Sequence, residues 1–186
     1  MNDAAIALSQ AFGFLFEWEV RALQVAVRDV VHNCLPGKPQ IVNIGAGAGT
    51  SGLAIVEAGA DPKFVWTVDI SPSGPTGGME NERNAFQNAG MTGQLPNQIL
   101  GDSKQVGRAW QYGALDLIFI DGDHSPEGVA GDIEAWLPWV KRPGGWMLFH
   151  DYHSNNWPAV VEAVERMLDF APVAFSIETL HARRLP

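Results

Sequence analysis

Apolar and polar positions change period several times along the chain, and each change marks an element. From residue 17 to 30 the spacing is helical: Trp18, Ala22, Val25, Ala26 and Val30 share one face, with Glu17, Glu19, Arg21 and Arg28 among them. Pro36-Gly37-Lys38-Pro39 then breaks the helix. Beyond it, short β-rich runs predict strands over 40–44, 63–69, 97–100, 115–120, 146–149 and 173–177. The intervening stretches predict helices over 51–58, 79–89, 103–110, 126–140 and 157–170. Strands separated by single helices pair in parallel through crossovers. The expectation is therefore an open α/β sheet, mostly parallel, of about six to seven strands with helices on both faces. No repeat or linker interrupts the rhythm, so residues 1–186 read as one domain, with an N-terminal helical segment over 1–38 and a core over 40–177. In such sheets ligands sit at the carboxyl ends of the strands, which directs attention to the residues just after each one.

Composition narrows the function classes. Hydrophobic residues make up 46% and charged residues 18%, ordinary globular usage. A net charge of −9 with no Lys/Arg cluster argues against a nucleic-acid partner. No apolar run is long enough for a membrane span, and no secretory signal pattern opens the chain. The single cysteine, Cys34, fits a reducing compartment, and a cytoplasmic location is expected. Trp136, Trp139 and Trp146 read as core or helix–sheet packing, whereas Trp157 lies close to the expected site mouth.

Chemistry gathers at the strand ends. After the first strand comes "NIGAGAGTSG", where Gly45, Gly47 and Gly49 allow positive φ and close backbone approach, and the following helix offers free N–H groups. Asp69 ends the second strand, placed to accept both hydroxyls of a ribose. Asp102 and Ser103 follow the third, where Asp102 suits either an N-cap or adenine contact. The fourth ends in Asp121-Gly122-Asp123-His124, and the fifth in His150-Asp151-Tyr152-His153. Two strands ending in Asp/His clusters beside a glycine loop favour a functional site. Ser125 suits the N-cap of the next helix and Pro126 its first position.

The glycine loop also satisfies G-x-G-x-x-G with an acid at the second strand end, so a nicotinamide-dependent oxidoreductase is one reading. A compact enzyme of that kind uses Tyr-x-x-x-Lys, but Tyr152 is followed four positions on by Asn156, and Tyr112 by Asp116. A metal-dependent hydrolase built from Asp121, Asp123, His124, His150, Asp151 and His153 leaves the glycine loop unexplained. A non-catalytic cofactor-binding partner protein is a third reading, opposed by the presence of His124.

In order and spacing, "VNIGAGAGTSG", "VWTVDIS", "ILGDS", "LIFIDGDHSPEGV", "DIEAWLPWVKRPGG" and "WMLFHDY" resemble a class I S-adenosylmethionine-dependent methyltransferase. The group most similar is the small-molecule O-methyltransferase-like one with Asp-Gly-Asp-His at the fourth strand. The resemblance covers residues 41–168 and implies a Rossmann-like methyltransferase fold. It implies that Asn43, Gly45, Ala46, Gly47 and Gly49 wrap the methionine part of the cofactor. Asp69 with Ile70 would meet the ribose side, Asp102 and Ser103 the adenine, and Asp121 would lie beside the sulfonium. It further implies His124 as general base and Asp121, His150 and Asp151 as a metal set, the metal being optional. Two departures stand out. Asn43 replaces the usual acid, and His150 points away from Mg²⁺ toward Mn²⁺, Fe²⁺, Zn²⁺ or no ion. The implied acceptor is a small hydroxylated molecule, met by segments 1–18, 71–78 and the residues after Asp151, and a homo-oligomer could complete the pocket.

Overall fold

Seven strands make one sheet: β1 Ile41–Ile44, β2 Val65–Asp69, β3 Asn97–Leu100, β4 Leu117–Ile120, β5 Trp146–Phe149, β6 Val173–Ile177 and β7 Leu180–Arg184. The structure is a computed structural model describing residues 3–12, 14–33, 38–75 and 77–186. Cys34 and the Pro36-Gly37 break lie outside the described residues, as do Met1, Asn2, Gly13 and Thr76 of the segments expected over the site. The strand order is β3-β2-β1-β4-β5-β7-β6. β1 to β5 run parallel, while β7 is antiparallel to both β5 and β6. The chain steps from β1 outward to β3, then returns to the other side of β1 at β4. The direction of winding thus reverses between β1 and β4, and their carboxyl ends open the crevice where such folds bind ligands.

The helices are α1 Ala4–Phe12, α2 Glu17–Asn33, α3 Thr50–Glu57, α4 Met79–Asn88, α5 Ser103–Arg108, α6 Pro126–Trp136 and α7 Pro158–Leu168. Alternate strand residues feed two apolar layers, as the period of two requires. Ile41, Val65, Leu117, Phe119 and Leu148 pack with α1, α2 and α3 on one face. Val42, Ile44, Val68, Ile118, Ile120, Met147 and Phe149 pack with α6 and α7 on the other. Trp136 and Trp146 are buried, and Trp139 Nε1 donates to Gly107 O at 2.8 Å, so these tryptophans are packing residues.

Four expectations need correction. The buried face of α2 is Glu19, Val20, Ala22, Leu23, Gln24, Ala26, Val27 and Val30, whereas Trp18 and Val25 are 63% and 59% exposed. The buried stripe is centred on Val20, Leu23 and Val27, which with Ala22, Ala26 and Val30 make a fuller apolar face than the expected one, and Glu19 falls on it. The predicted strands over 40–44, 63–69 and 115–120 are shorter: Pro62–Phe64 forms a 3-10 turn before β2, and Leu115 makes only an isolated bridge to Val140. The predicted helix over 126–140 likewise ends at Trp136 and gives way to a 3-10 turn, Leu137–Trp139. The core also extends past residue 177, because β7 inserts between β5 and β6. This strand carries two arginines, Arg183 and Arg184. Arg183 is nevertheless buried, donating to Glu165, to Ala171 O at 2.9 Å and to His181 Nε2 at 2.9 Å. A paired guanidinium satisfied in this way can lie inside a sheet.

Candidate active site

The crevice begins with a backbone contact. Gly45, Gly47 and Gly49 all have positive φ. A Cβ on Gly45 would fall 2.1 Å from the carbonyl oxygen of Asp121, so the ends of β1 and β4 meet with no room for a side chain. Gly45 N donates to Val68 O at 2.9 Å, and Asp121 N to Ile44 O at 3.0 Å. Asp69 orients the loop: Oδ2 accepts from Ala46 N and Oδ1 from Ser71 N, both at 2.7 Å. Ile70, beside it, is 74% exposed at the rim, an apolar surface without an internal partner layer. Asn43 is fully buried under the loop.

At the third strand end, Asp102 caps α5 by accepting from Lys104 N at 2.8 Å. Ser103 Oγ donates to Asp132 on α6, and Ser103 O accepts from Trp136 Nε1 at 3.1 Å. The Ser103 hydroxyl is therefore turned toward α6. Ser125 Oγ accepts from Gly128 N at 3.0 Å with Pro126 opening α6, the cap expected from sequence.

The ends of β4 and β5 bring four titratable groups together. His124 Nε2 lies 3.2 Å from Asp151 Oδ2 and 3.4 Å from Asp121 Oδ1. Those are ion-pair distances without hydrogen-bond alignment, and Nε2 is a buried nitrogen with no hydrogen-bond partner among the described residues. Trp157 stacks on the His124 ring, centroids 5.1 Å apart at 26°. His150 Nδ1 lies 3.2 Å from Asp121 Oδ1 and 3.4 Å from Asp151 Oδ2, and its Nε2 lies 3.3 Å from Glu19 Oε2. Asp151 sits at φ 58, a left-handed conformation that aspartate adopts more readily than most residues other than glycine. His153, the other imidazole expected here, instead stands edge-on to Tyr152, ring centroids 4.5 Å apart.

Sequence reasoning missed Glu19 and Thr179. Glu19 is fully buried; it accepts from Phe16 N, from Thr179 N (both 2.8 Å) and from Thr179 Oγ1 (2.6 Å). Thr179 belongs to the turn before β7, whose Thr179 O also accepts from Tyr152 N at 2.9 Å. The one signal for Glu19 was a carboxylate interleaved with the apolar residues of α2.

Charge follows from this packing. Burial alone would depress His150, but the Asp121 charge and hydrogen bonds to Asp121, Asp151 and Glu19 push it up to about 12. Burial would likewise raise Asp121, but the charges of His150 and His124 hold it far below the usual carboxylate range. His124 is raised too, its burial outweighed by Asp121 and Asp151. Together these residues form a proton-holding cluster beside a backbone-lined crevice.

Residues 42–152 match the family described as a methyltransferase domain. The chain belongs to that family. A probable O-methyltransferase of Mycobacterium tuberculosis is 30% identical over 118 residues, which is 62% of this chain and 49% of that protein. A Mycobacterium avium relative has the same identity over the same length. The chain thus spans about half the length of the curated relatives it matches. A Corynebacterium glutamicum protein superposes with TM-score 0.73 at 19% identity, covering 99% of this chain and 90% of that one. The O-methyltransferase NovP gives 0.70 at 20%, covering 89% and 78%. A Bacillus cereus O-methyltransferase in complex with S-adenosylhomocysteine gives 0.67 at 17%, covering 99% and 91%. At these identities the structural likeness shows the fold: a Rossmann-like methyltransferase sheet.

Proposed function

We propose that this protein transfers a methyl group from S-adenosylmethionine to a hydroxyl of a small molecule. One observation carries the reading: His124 stands at the end of β4 where Asp121 meets the glycine loop, its Nε2 3.4 Å from Asp121 and 3.2 Å from Asp151. An imidazole flanked by two carboxylates can take the proton of an incoming hydroxyl and hold it. The cofactor would supply an electrophilic methyl on a sulfonium. Gly45, Ala46, Gly47 and Gly49 would hold its amino-acid part through backbone groups, with Asn43 beneath them. Asp69 with Ile70 would meet the ribose, and Asp102 with Ser103 would flank the adenine. Asp121 and Asp151 would stabilise the imidazolium that His124 becomes on taking the proton, and Trp157 would fix its ring plane. We read the whole chain, 1–186, as one such domain. Among the described residues no helix is long and apolar enough to cross a membrane.

A divalent ion is the second reading, favoured by one observation: ligand atoms of Asp121, His150 and Asp151 all lie within 4.8 Å of one another. Those residues would hold the ion, which would lower the pKa of the acceptor hydroxyl. His150 fits that role only if Nδ1 gives up its proton, because both ring nitrogens now face carboxylates.

Calorimetric titration with S-adenosylhomocysteine and with NAD tests the first reading. Binding of the former at about micromolar Kd, near −8 kcal/mol, with none for NAD is expected. NAD binding alone would contradict the S-adenosylmethionine reading. Repeating the titration after chelation and metal analysis tests the second.

A further inference from the structure

Glu82, on α4, is a fully buried acid that the proposed reaction does not use. Thr67 Oγ1 donates to its Oε1 and Gln98 Nε2 to its Oε2, both at 2.8 Å. Gln98 Nε2 also donates to Met79 O at 2.9 Å, and Gln98 Oε1 accepts from Arg83 at 2.5 Å. On the other side of Thr67, Asn43 Nδ2 points at Oγ1 from 3.5 Å, and Asn43 Oδ1 is buried with no hydrogen-bond partner among the described residues. The acid also abuts the glycine loop. A Cβ on Gly52 would lie 2.3 Å from Glu82 Oε1, and one on Gly49 would lie 3.0 Å from Glu82 Cα. The helix that carries it starts on the same loop, with Gly78 N donating to Gly47 O at 2.9 Å and Glu82 N to Gly78 O at 3.1 Å.

A hydroxyl has one proton to give. Thr67 gives its proton to Glu82 and receives a hydrogen from Asn43, so the hydrogens run in one direction, from β1 through β2 to α4. An acid at position 43 would turn lone pairs toward the Thr67 oxygen and add a second charge to a dry site. We propose that Glu82 is the positioning residue of the cofactor loop. When ionised it holds one negative charge beneath Gly49 and Gly52, and Thr67 assigns that charge to position 82 and not to position 43. This rests on the cofactor reading above. S-adenosylmethionine carries a sulfonium and an ammonium against one carboxylate, and such a net cation is favoured by a buried negative charge behind the loop.

The charged groups facing Glu82 are Asp69 on β2 and Arg83 on its own helix, while Asn43, Thr67 and Gln98 are neutral. Burial first, then Asp69, push the Glu82 carboxyl up to about 7 against its hydrogen bonds and Arg83. Because the folded value is raised, the fold is most stable with the acid protonated. That stability is lost as pH rises from the ordinary 4.5 through about 7.

The test measures melting at pH 8 and S-adenosylmethionine affinity for wild type, Glu82→Gln, Asn43→Asp and the double variant. In Glu82→Gln the new amide can donate to Thr67, whose hydroxyl donates to Asn43 Oδ1 once the Asn43 amide flips, so the network stays filled. That variant should melt at or above wild type, freed of a buried charge, yet bind about tenfold more weakly. Asn43→Asp alone should melt lower by more than about 5 °C, two carboxylates now competing for Thr67. The double variant should recover both melting and affinity to within about threefold of wild type. Glu82→Gln binding like wild type would overturn the proposal, as would a drop in melting parallel to affinity with no rescue in the double variant. Wild type that fails to bind overturns the cofactor reading itself, a result seen before any variant is compared.

Discussion

At the β1–β2 side the crevice is made of backbone: Gly45, Gly47 and Gly49 at positive φ, with Asp69 spending both oxygens on Ala46 N and Ser71 N. At the β4–β5 side it is made of side chains: Asp121, His124, His150 and Asp151, with Glu19 behind them. The first arrangement suits holding a ligand at fixed distance, because amides and carbonyls cannot titrate. The second suits moving a proton, because its charges depend on one another. The two sides meet where Gly45 touches Asp121. Holding and proton transfer should therefore separate by mutation everywhere except at that contact.

The largest expected effect is on turnover. His124→Ala should lower it by about 10²- to 10⁴-fold while cofactor affinity stays nearly unchanged. Steady-state rates on a confirmed acceptor check this, and a wild-type rate would remove His124 from the mechanism. Next comes Glu19→Ala, which leaves His150 Nε2 and the Thr179 hydroxyl buried without their carboxylate. Breaking a buried pair costs about 3–5 kcal/mol, so a fall of about 10 °C in melting temperature is expected. An unchanged melt would show that the cluster does not depend on α2. The smallest effect is the pH dependence of the rate. His124 is raised above the ordinary 6.5 and must be neutral to act. The rate should therefore fall about tenfold per pH unit below its pKa and level off above it. The same raised value adds stability that is present below about 6.5 and lost as pH climbs through the folded pKa. A rate that levels off below pH 6 would mean that Asp121 and Asp151 do not stabilise the imidazolium.

The same division explains what was legible in the sequence. The glycine loop, Asp69 and the Ser125-Pro126 cap are local devices, each complete within a few residues, and each is found where the spacing placed it. The pairing of Asp121 with His150 was also legible, since adjacent parallel strands bring their ends together. Glu19, Thr179 and β7 were not. Glu19 meets Thr179 across 160 positions, and only a strand that turns back antiparallel into the sheet brings them together. Local pattern carries no information on such a contact. The face of α2, which leaves Trp18 and Val25 outside, is set by Val20, Leu23 and Val27 packing into the core, and it carries Glu19 inward with them. The burial of Arg183 likewise rests on distant partners, Glu165 and Ala171 O, that no local pattern announces.

The separation of holding from proton transfer is tested most directly by titrating S-adenosylhomocysteine into wild type, Asp69→Ala and His124→Ala under one set of conditions. Asp69→Ala should lose about 1.5–3 kcal/mol of binding, roughly ten- to hundredfold in Kd, through lost charge-assisted bonds. His124→Ala should bind within about threefold of wild type. Equal losses in both variants would contradict the account, because the imidazole would then be part of the holding side of the crevice.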